Sequence, residues 1–326
     1  MMISHGSGRT RWFGSMPRKA AVVGLLCIPL AAAGCSSSSS SSAATGGASS
    51  SAAGSPSASA SSSATGSGPV NVLYAGSLVD LMQKQVGPAF QTATGYSVSG
   101  ISAGSKDLAA EIKGKVHQGD VFISASPKTT KTLMGASGGD WVSWYGTFAT
   151  SALVIGYNPK SKFASDLKTM PWYKAITEPG LKLGFTDPAT DPKGVLAVQA
   201  MTDFAKSKNL PALTTLSTDK SDIFPEETLV GRLQSGQLDA GFFYTAEAAA
   251  ASIPTVPLTG EDLKATYTIS VLNKAPHEAG AEAFVNYLLG SDGQAALKQD
   301  GFALVSPPTV TGSGVPSALQ SVLPQQ

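Results

Sequence analysis

One local pattern occurs three times in succession between residues 70 and 134, and it sets the fold class. Each unit has an apolar, strand-like run, then a turn rich in Gly, Ser and Ala, then apolar residues at helical spacing. The units comprise strands at 70–74, 97–101 and 120–123, turns at 75–77, 102–105 and 124–127, and helices at 78–90, at 108–116 and ending near 134. Successive strand–turn–helix units predict a doubly wound α/β sheet with parallel strands.

The rest of the chain returns to α/β units after a long strand predicted at 148–157. The further predicted elements are strands at 181–185, 240–244 and 268–272 and helices at 195–206, 228–233 and 279–289. Two sets of α/β units are most simply arranged as two lobes. The predicted fold class is therefore α/β, with two lobes within residues 69–326 and a ligand cleft between them.

Residues 1–35 have the features of an export signal. Their basic residues are Arg9, Arg11, Arg18 and Lys19. The apolar run that follows, 20–33, is shorter than the ~20 residues that a spanning helix needs. It ends in small residues and Cys35, which resembles the lipobox of lipoproteins, although Ala32 stands where leucine is usual. We predict a lipoprotein signal peptide at 1–35 and a lipid on Cys35.

Residues 36–68 are almost entirely Ser, Ala, Gly and Thr, a composition that cannot bury enough apolar surface to fold. We predict a disordered tether there, joining the lipid to the domain at 69–326. The whole chain has 23 Lys and Arg against 22 Asp and Glu, and the leader contains only basic charges. The mature protein is thus slightly acidic and lacks the basic excess that a nucleic-acid partner calls for.

Hydroxyl side chains follow each of the first three predicted strands: Ser77, then Ser105, then Ser124 and Ser126. In open α/β sheets, ligands bind beyond the carboxyl ends of the strands, where helix N-termini supply N–H donors. Neutral donors of this kind, removed from water, can hold an anion without a buried lysine. The alternative is that these serines only cap the following helices.

Six segments of the chain, taken in order, carry a resemblance to a known family. They read Val-Leu-Tyr-Ala-Gly-Ser-Leu at 72–78, Ala-Gly-Ser-Lys-Asp-Leu-Ala at 103–109, Asp-Val-Phe-Ile-Ser-Ala at 120–125, Trp-Tyr-Gly-Thr-Phe-Ala-Thr-Ser at 144–151, Gly-Phe-Thr-Asp-Pro-Ala-Thr-Asp-Pro-Lys-Gly at 184–194 and Gly-Gln-Leu-Asp-Ala-Gly-Phe-Phe-Tyr at 236–244. Together they resemble the molybdate/tungstate-binding proteins of ABC importers. The resemblance rests on the order and spacing of the segments, and it covers nearly all of residues 69–308.

That resemblance implies a two-lobed, type II-like periplasmic-binding-protein fold that closes on an oxyanion. By position in the motifs, Ser77 and Ser105 would donate from the first lobe, and Asp191 and Tyr244 would act from the second. Ser151, at the end of its segment, is a further implied contact. The implied function is an extracytoplasmic protein, lipid-anchored to the cell membrane, that delivers molybdate or tungstate to an ABC permease, with a monomer as the default state.

One residue departs from the family pattern. In the tungstate-selective branch two carboxylates approach the metal; Asp191 matches the first, but Phe243 stands at the second position. This favours binding by hydroxyl and amide donors. Glu247, one helical turn on, offers a replacement carboxylate, although an exposed surface glutamate is the favoured interpretation. Asp187 and Asp191 are equally consistent with a turn-forming role.

Other kinds of site find little support in the sequence. Of 2 Cys and 3 His, both cysteines and His5 fall within 1–35, so no metal-ligand spacing remains, and no Gly-x-Ser-x-Gly motif is present. We expect no catalysis, no cofactor and no metal beyond that of the bound oxyanion. Two short clusters of aromatic residues could form a sugar-binding face, but clusters without repeats favour hinge or core packing. Their members are Trp141, Trp144, Tyr145, Trp172 and Tyr173. The alternatives left open are sulfate, phosphate or an organic anion as the ligand, a secreted serine hydrolase, and an interaction protein that has lost its pocket.

Overall fold

A mixed β-sheet forms the centre of the fold. The structure is a computed structural model and describes residues 66–324. The strands are β1 (Gly68–Ala75), β2 (Tyr96–Ala103), β3 (Val121–Ser124), β4 (Trp144–Tyr157), β5 (Leu183–Thr186), β6 (Ile223–Phe224), β7 (Ala240–Tyr244), β8 (Thr255–Pro257), β9 (Lys264–Val271) and β10 (Ala303–Gly312). The leader predicted at 1–35, with Cys35, and the tether up to residue 65 lie outside the described residues.

Helices cover the sheet. They are α1 (Val79–Leu81), α2 (Gly87–Thr94), α3 (Ser105–Gly114), α4 (Pro127–Lys131), α5 (Gly135–Gly138), α6 (Ala164–Thr169), α7 (Trp172–Ala175), α8 (Pro192–Lys208), α9 (Pro211–Leu216), α10 (Glu226–Gln234), α11 (Thr245–Ala250), α12 (Glu278–Leu289) and α13 (Ser291–Gln299). A 3-10 turn at Gly76–Leu78 precedes α1, and a π-helical turn at Met82–Val86 joins α1 to α2. In the part of the chain described, no helix combines the length and apolar character needed to cross a bilayer.

The pairing of the strands is parallel at both ends of the sheet and antiparallel in the middle. The order is β2-β1-β3-β9-β4-β7-β5-β6, and β8 and β10 also pair with β4. β1 runs parallel to β2 and β3, and β5 runs parallel to β6 and β7. β9 and β4, between them, are antiparallel to their neighbours. The predicted parallel sheet is confirmed within each set of α/β units and is wrong at the centre.

Strand β4 belongs to both lobes of the α/β fold. Its first part, up to Ala152, pairs with β9 and β10, and its last part, from Leu153, pairs with β7 and β8. The first lobe therefore contains β1, β2, β3, β9 and β10, and the second contains β5 to β8. The ladder between β4 and β9 shifts register between Thr147 and Ala149, shortly before the chain enters the second lobe.

The inner parallel strands of the first lobe, β1 and β3, are buried on both faces. Val72 and Tyr74 of β1 join the largest hydrophobic cluster, whereas Leu73 packs on the other face with Leu108 of α3 and Phe122 of β3. Parallel strands covered by helices on both faces need apolar side chains in both directions. This is why the segment 70–74 is a nearly continuous apolar run and shows little alternation.

A buried carboxylate, Asp120, ties three elements of the first lobe together. Its oxygens accept hydrogen bonds from the Asn71 amide at 2.7 Å, the His277 amide at 2.7 Å and His277 Nδ1 at 2.9 Å. Asn71 is part of β1, Asp120 precedes β3 and His277 precedes α12. Because Asp120 is completely buried, no water molecule could accept these hydrogen bonds if its carboxylate were removed.

We expect Asp120→Ala to destabilise the protein by roughly 2–4 kcal/mol, since two backbone amides and a histidine nitrogen would lose their acceptor. Asp262→Ala, on a carboxylate whose side chain is 86% exposed and pairs only with Lys264, is the matched control and should change stability by less than ~0.5 kcal/mol. The measurement is the free energy of unfolding in urea. Equal effects of the two substitutions would contradict the role given to Asp120.

Candidate functional site

The five residues predicted to contact a ligand are all buried, and all except Ser151 lie where a strand ends or a helix begins. Ser77 lies in the turn after β1, and Ser105 is the first residue of α3. Ser151 lies in β4, Asp191 caps α8 and Tyr244 ends β7. The first two belong to the first lobe and the last two to the second.

The hydroxyl of Ser77 contacts a tyrosine that the sequence did not single out. Ser77 Oγ lies 2.9 Å from the hydroxyl oxygen of Tyr267, on β9. The Tyr267 ring also packs edge-on against the ring of Tyr244, with centroids 6.3 Å apart. These contacts place a serine and a tyrosine of the first lobe directly beside a tyrosine of the second.

Ser105 keeps a hydrogen atom to donate. Its Oγ accepts a hydrogen bond from the Ala125 amide at 3.1 Å, which fixes the side chain against the turn after β3. A hydroxyl that accepts one hydrogen bond still has its own O–H to donate. By contrast, Ser124 Oγ bonds the amide and the carbonyl of Ser126, so Ser124 shapes this turn.

Ser151 has a local structural role. Its Oγ accepts a hydrogen bond from the Ala246 amide at 3.0 Å and lies 2.9 Å from Thr245 Oγ1. It therefore satisfies an amide at the start of α11, one that the helix itself leaves without an acceptor. Its predicted contact with a ligand would have to coexist with this capping role.

Asp191 is the N-cap of the longest helix. Its Oδ1 accepts a hydrogen bond from the Lys193 amide at 2.7 Å and another from Thr186 Oγ1 at 2.8 Å. Pro192 follows as the first helical residue, a position where its missing N–H costs nothing. The capping interpretation of Asp191 is thus supported by direct contacts, and its carboxylate faces the positive end of the helix dipole.

The second lobe contains an ion cluster formed by Lys193, Glu226 and Glu247. The side chain of Lys193 is 0% exposed. Its Nζ lies 2.8 and 2.7 Å from the two carboxylate oxygens of Glu247, and 3.1 Å from Glu226 Oε1. Each member stands in the first turn of its helix, α8, α10 or α11. The cluster therefore holds three helix N-termini together.

Burial and the neighbouring charges determine which members of this cluster are protonated. Burial alone would lower the pKa of Lys193, but Glu226, Glu247 and Asp191 together raise it above its ordinary value, so the ammonium stays charged. Burial raises the pKa of Glu226 well above its ordinary value, and the nearby Asp191 and Glu247 add to this against the attraction of Lys193. Glu247 makes the two shorter contacts with Lys193, which leaves Glu226 as the carboxyl that takes up a proton.

Tyr244 provides a hydroxyl donor that remains unused. Within residues 66–324, its buried hydroxyl oxygen has no hydrogen-bond partner. Burial, followed by the charge of Asp191, raises the pKa of Tyr244 well above its ordinary value, so the group keeps its proton. A buried hydroxyl without a partner costs free energy, and this donor is available to an acceptor that enters the cleft.

The two lobes touch across the cleft. The amides of Lys106 and Asp107, at the start of α3, donate to the Thr190 carbonyl at 3.0 and 3.3 Å. Lys106 Nζ donates to the Pro188 carbonyl at 2.7 Å. A Cβ atom on Gly104 would lie 2.6 Å from the Thr190 carbonyl oxygen, so glycine is needed for this close approach.

A cavity opens on each side of this contact. One, of about 430 Å³, is lined by residues that include Gly76, Ser77, Asp80, Gln83, Glu226 and Glu247. The other, of about 500 Å³, has Lys106, Lys113, Lys128 and Lys264 in its wall. The first cavity adjoins the predicted site and the ion cluster, and the second carries the positive charge.

One interpretation of the second lobe needs correction. Glu247 is 7% exposed and bonds Lys193, so the interpretation of it as an exposed surface glutamate is wrong. Phe243 lies in an apolar cluster with Val154, Leu229 and Leu233, on the face of β7 away from Tyr244. The Phe243 ring also lies 5.3 Å from the Lys193 ammonium, a cation–π contact that favours an aromatic residue at this position.

Sequence reasoning missed Tyr267, Lys193 and Glu226. Tyr267 carries no distinguishing signal, because a tyrosine is ordinary in a strand. Lys193 did carry one: a lysine at the second position of a helix opposes the helix dipole, which indicates nearby carboxylates. Glu226 is the first residue of α10 and could pass for an ordinary acidic residue in a first turn.

The arrangement of the serines does not match that of a serine hydrolase. Among the described residues, the side-chain partners of Ser77, Ser105 and Ser151 are Tyr267, the Ala125 amide, and Thr245 with the Ala246 amide. A nucleophilic serine needs an adjacent general base such as histidine. The aromatic residues Trp144, Tyr145 and Trp172 are buried and belong to the core.

Comparison with known proteins gives a consistent picture. A family model for bacterial extracellular solute-binding proteins matches residues 70–303. A Haloferax volcanii protein, named as a candidate molybdenum-binding protein of an ABC transporter, is 30% identical over 68% of this chain and 66% of its own length. The molybdate/tungstate-binding protein WtpA of Thermococcus kodakarensis is 25% identical over 56% of this chain and 66% of its own length.

Among solved structures, the periplasmic molybdate-binding protein of Azotobacter vinelandii is similar in fold. It has a TM-score of 0.59 and 22% sequence identity, and the match covers 72% of this chain and 99% of that protein. The α/β periplasmic-binding-protein fold predicted from the sequence is thereby confirmed.

We expect Lys193→Met to cost roughly 3–5 kcal/mol of stability, because it leaves the buried Glu247 carboxylate without its counter-charge and Glu226 Oε1 without its donor. Without the ammonium, both carboxyl groups would favour the protonated form in the folded state relative to the unfolded chain. Stability of the variant should therefore be highest at acid pH and fall as the pH rises through the folded pKa values. Urea unfolding between about pH 5 and pH 8 measures this.

Lys264→Met is the control for that experiment. Lys264 pairs with Asp262 at 3.0 Å, but both side chains are largely exposed, so the loss should stay below ~1 kcal/mol at every pH. If Lys193→Met is no more destabilising than the control, the cluster does not stabilise the second lobe.

Proposed function

Because the chain belongs to the bacterial extracellular solute-binding proteins, we propose that it captures molybdate or tungstate between its two lobes and delivers it to an ABC permease. The match covers most of the folded domain, from β1 to the start of β10. The names of the Haloferax and Thermococcus relatives support the ligand class. Binding and release are the whole of the proposed activity, with no covalent step.

One observation carries the choice of an oxyanion: the unpartnered hydroxyl of Tyr244, buried beside the Ser77–Tyr267 pair. A tetrahedral oxyanion has acceptor oxygens and no donor when fully ionised, so it needs a wall of donors. Tyr244 offers one from the second lobe, and Ser77 and Ser105 offer hydroxyls from the first. Donors from both lobes around one anion would make closure depend on the ligand.

The charges near the site are compatible with an anion. The Lys193 ammonium is matched by Glu247, and Asp191 is matched by the N-terminus of α8. Burial raises the pKa of Glu226, which favours its uncharged form and so lessens the negative charge of the cluster. Hydroxyl dipoles held in place by the fold can then act on the ligand at short range, where water no longer screens them.

Titration calorimetry of the full-length chain with molybdate, tungstate, sulfate and phosphate tests the ligand. We expect binding of molybdate and tungstate, and its loss when Ser77→Ala and Ser105→Ala are combined. Binding confined to sulfate or phosphate would contradict molybdate and tungstate as the ligands and would make the protein a carrier of that other anion. No heat with any of the four would contradict oxyanion transport and favour an organic anion or a lost pocket.

Tyr244→Phe should weaken oxyanion binding by about 10- to 100-fold, the loss expected for one hydrogen bond to a charged group. Stability should stay constant or rise, because the substitution removes a buried hydroxyl without a partner. The control is Tyr157→Phe: Tyr157 pairs with Ala240 at the opposite end of the β4–β7 ladder from Tyr244. Unchanged affinity in Tyr244→Phe would remove this residue from the site.

We also propose the predicted lipid anchor at Cys35, which would hold the protein at the cell membrane. Cys35→Ser should abolish metabolic labelling by a fatty acid and release the protein into the medium. The other cysteine, Cys27, lies in the predicted leader, so Cys27→Ser should leave both properties unchanged. Equal labelling of Cys35→Ser and the wild type would rule out this anchor.

A further inference from the structure

The side chain of Glu226 closes over the turn that carries Ser77. Glu226 is 6% exposed, and a Cβ atom on Gly76 would lie 2.1 Å from its Cγ. Because Gly76 and Ser77 belong to the first lobe and Glu226 to the second, this side chain spans the cleft. Gly76, Ser77 and Glu226 all line the 430 Å³ cavity.

The two oxygens of Glu226 have different surroundings. Oε1 accepts a hydrogen bond from Lys193 Nζ at 3.1 Å. Oε2 is buried and, in the described part of the chain, has no hydrogen-bond partner. A charged oxygen in that position would be costly, whereas a protonated one would be a donor that needs an acceptor. An oxyanion in the cavity is such an acceptor.

Resting on the proposed function, we propose that Glu226 is a ligand-binding residue whose protonated Oε2 donates a hydrogen bond to the bound oxyanion, so that binding requires one proton on Glu226. The chemical class recognised is an oxyanion that holds no proton of its own. A fully ionised oxyanion presents an acceptor oxygen in every orientation, whereas a protonated ligand oxygen facing Oε2 would place two hydrogen atoms between the two oxygens.

The charged and titratable groups around Glu226 come from five elements. They are Asp191 and Lys193 of α8, Glu247 of α11, Tyr244 of β7, Tyr267 of β9 and, across the cavity, Asp80 of α1. The pKa values of Lys193 and of both tyrosines are raised, so these three groups keep their protons at neutral pH. Glu226, whose pKa is also raised, is the group that changes charge as the pH rises from the acid side.

The direction in which affinity changes with pH follows from the proton on Glu226. Below the pKa of Glu226 in the free protein, the donor is in place and affinity is highest. Above it, binding must first take up a proton, and affinity falls by up to tenfold for each pH unit. Molybdate and tungstate hold no proton near and above neutral pH, so the ligand does not contribute a similar slope.

The test is calorimetric titration with molybdate between about pH 6 and pH 9, on the full-length wild type and on Glu226→Gln. Glutamine can accept from Lys193 with its oxygen and donate to the ligand with its nitrogen, and it does not titrate. We expect the wild-type affinity to fall with rising pH and Glu226→Gln to bind equally at every pH, within about threefold of the wild type at pH 6.

Asp80→Asn is the matched control. Asp80 lines the same cavity, but it is partly exposed and pairs with Lys84 at 2.9 Å. The variant removes one negative charge from the cavity mouth without touching Oε2, and it should retain the wild-type pH dependence. If Asp80→Asn also flattens the profile, the general charge of the mouth is responsible and the role of Glu226 is overturned.

The wild type alone supplies a second readout, should Glu226→Gln fail to fold. Titration in two buffers of different ionisation enthalpy counts the protons taken up with each anion, and we expect a rise towards one as the pH increases. Affinity that is independent of pH, with no proton uptake, overturns this inference while leaving oxyanion binding intact. Failure to bind any oxyanion at any pH defeats the proposed function itself.

Discussion

The second lobe depends on one buried charge, the ammonium of Lys193. Three helices begin around it, and without it the buried Glu247 carboxylate would lie in an apolar interior with no counter-charge. Glu247 compensates the charge of the lysine, Glu226 accepts a hydrogen bond from it, and the helix dipoles favour these carboxyl groups. Because the charges compensate one another only in this arrangement, the cluster fixes where the ends of α8, α10 and α11 lie.

The rest of the site follows from that arrangement. With α8 fixed, Asp191 and Thr190 lie against the start of α3 in the first lobe. With α11 fixed, Tyr244 at its N-cap stands beside Tyr267 and the Ser77 turn. The first lobe contributes hydroxyls that need no counter-charge. The second lobe contributes a tyrosine hydroxyl and a carboxyl group whose proton is controlled by its neighbours.

Much of this could be predicted from local patterns. The strand–turn–helix units put Ser77, Ser105 and Tyr244 at the ends of strands before helices, and all three are buried beside the cleft. The antiparallel centre of the sheet could not be predicted, since the direction of β4 and β9 depends on pairing between segments more than 100 residues apart. Glu247 was misread because a glutamate next to alanines looks exposed until Lys193 is known to face it.

The crossing of β4 between the lobes determines how the cleft can open. The strand is hydrogen-bonded on both sides of the crossing, to β9 and β10 before it and to β7 and β8 after it. The lobes therefore cannot rotate freely about β4 as they could about a loop. Opening of the cleft would instead twist this paired strand, near the register shift at Thr147–Ala149. Small rotations of one lobe against the other would cost little free energy, whereas larger rotations would strain the hydrogen bonds of β4. The backbone pairing of this strand therefore limits how far the cleft can open.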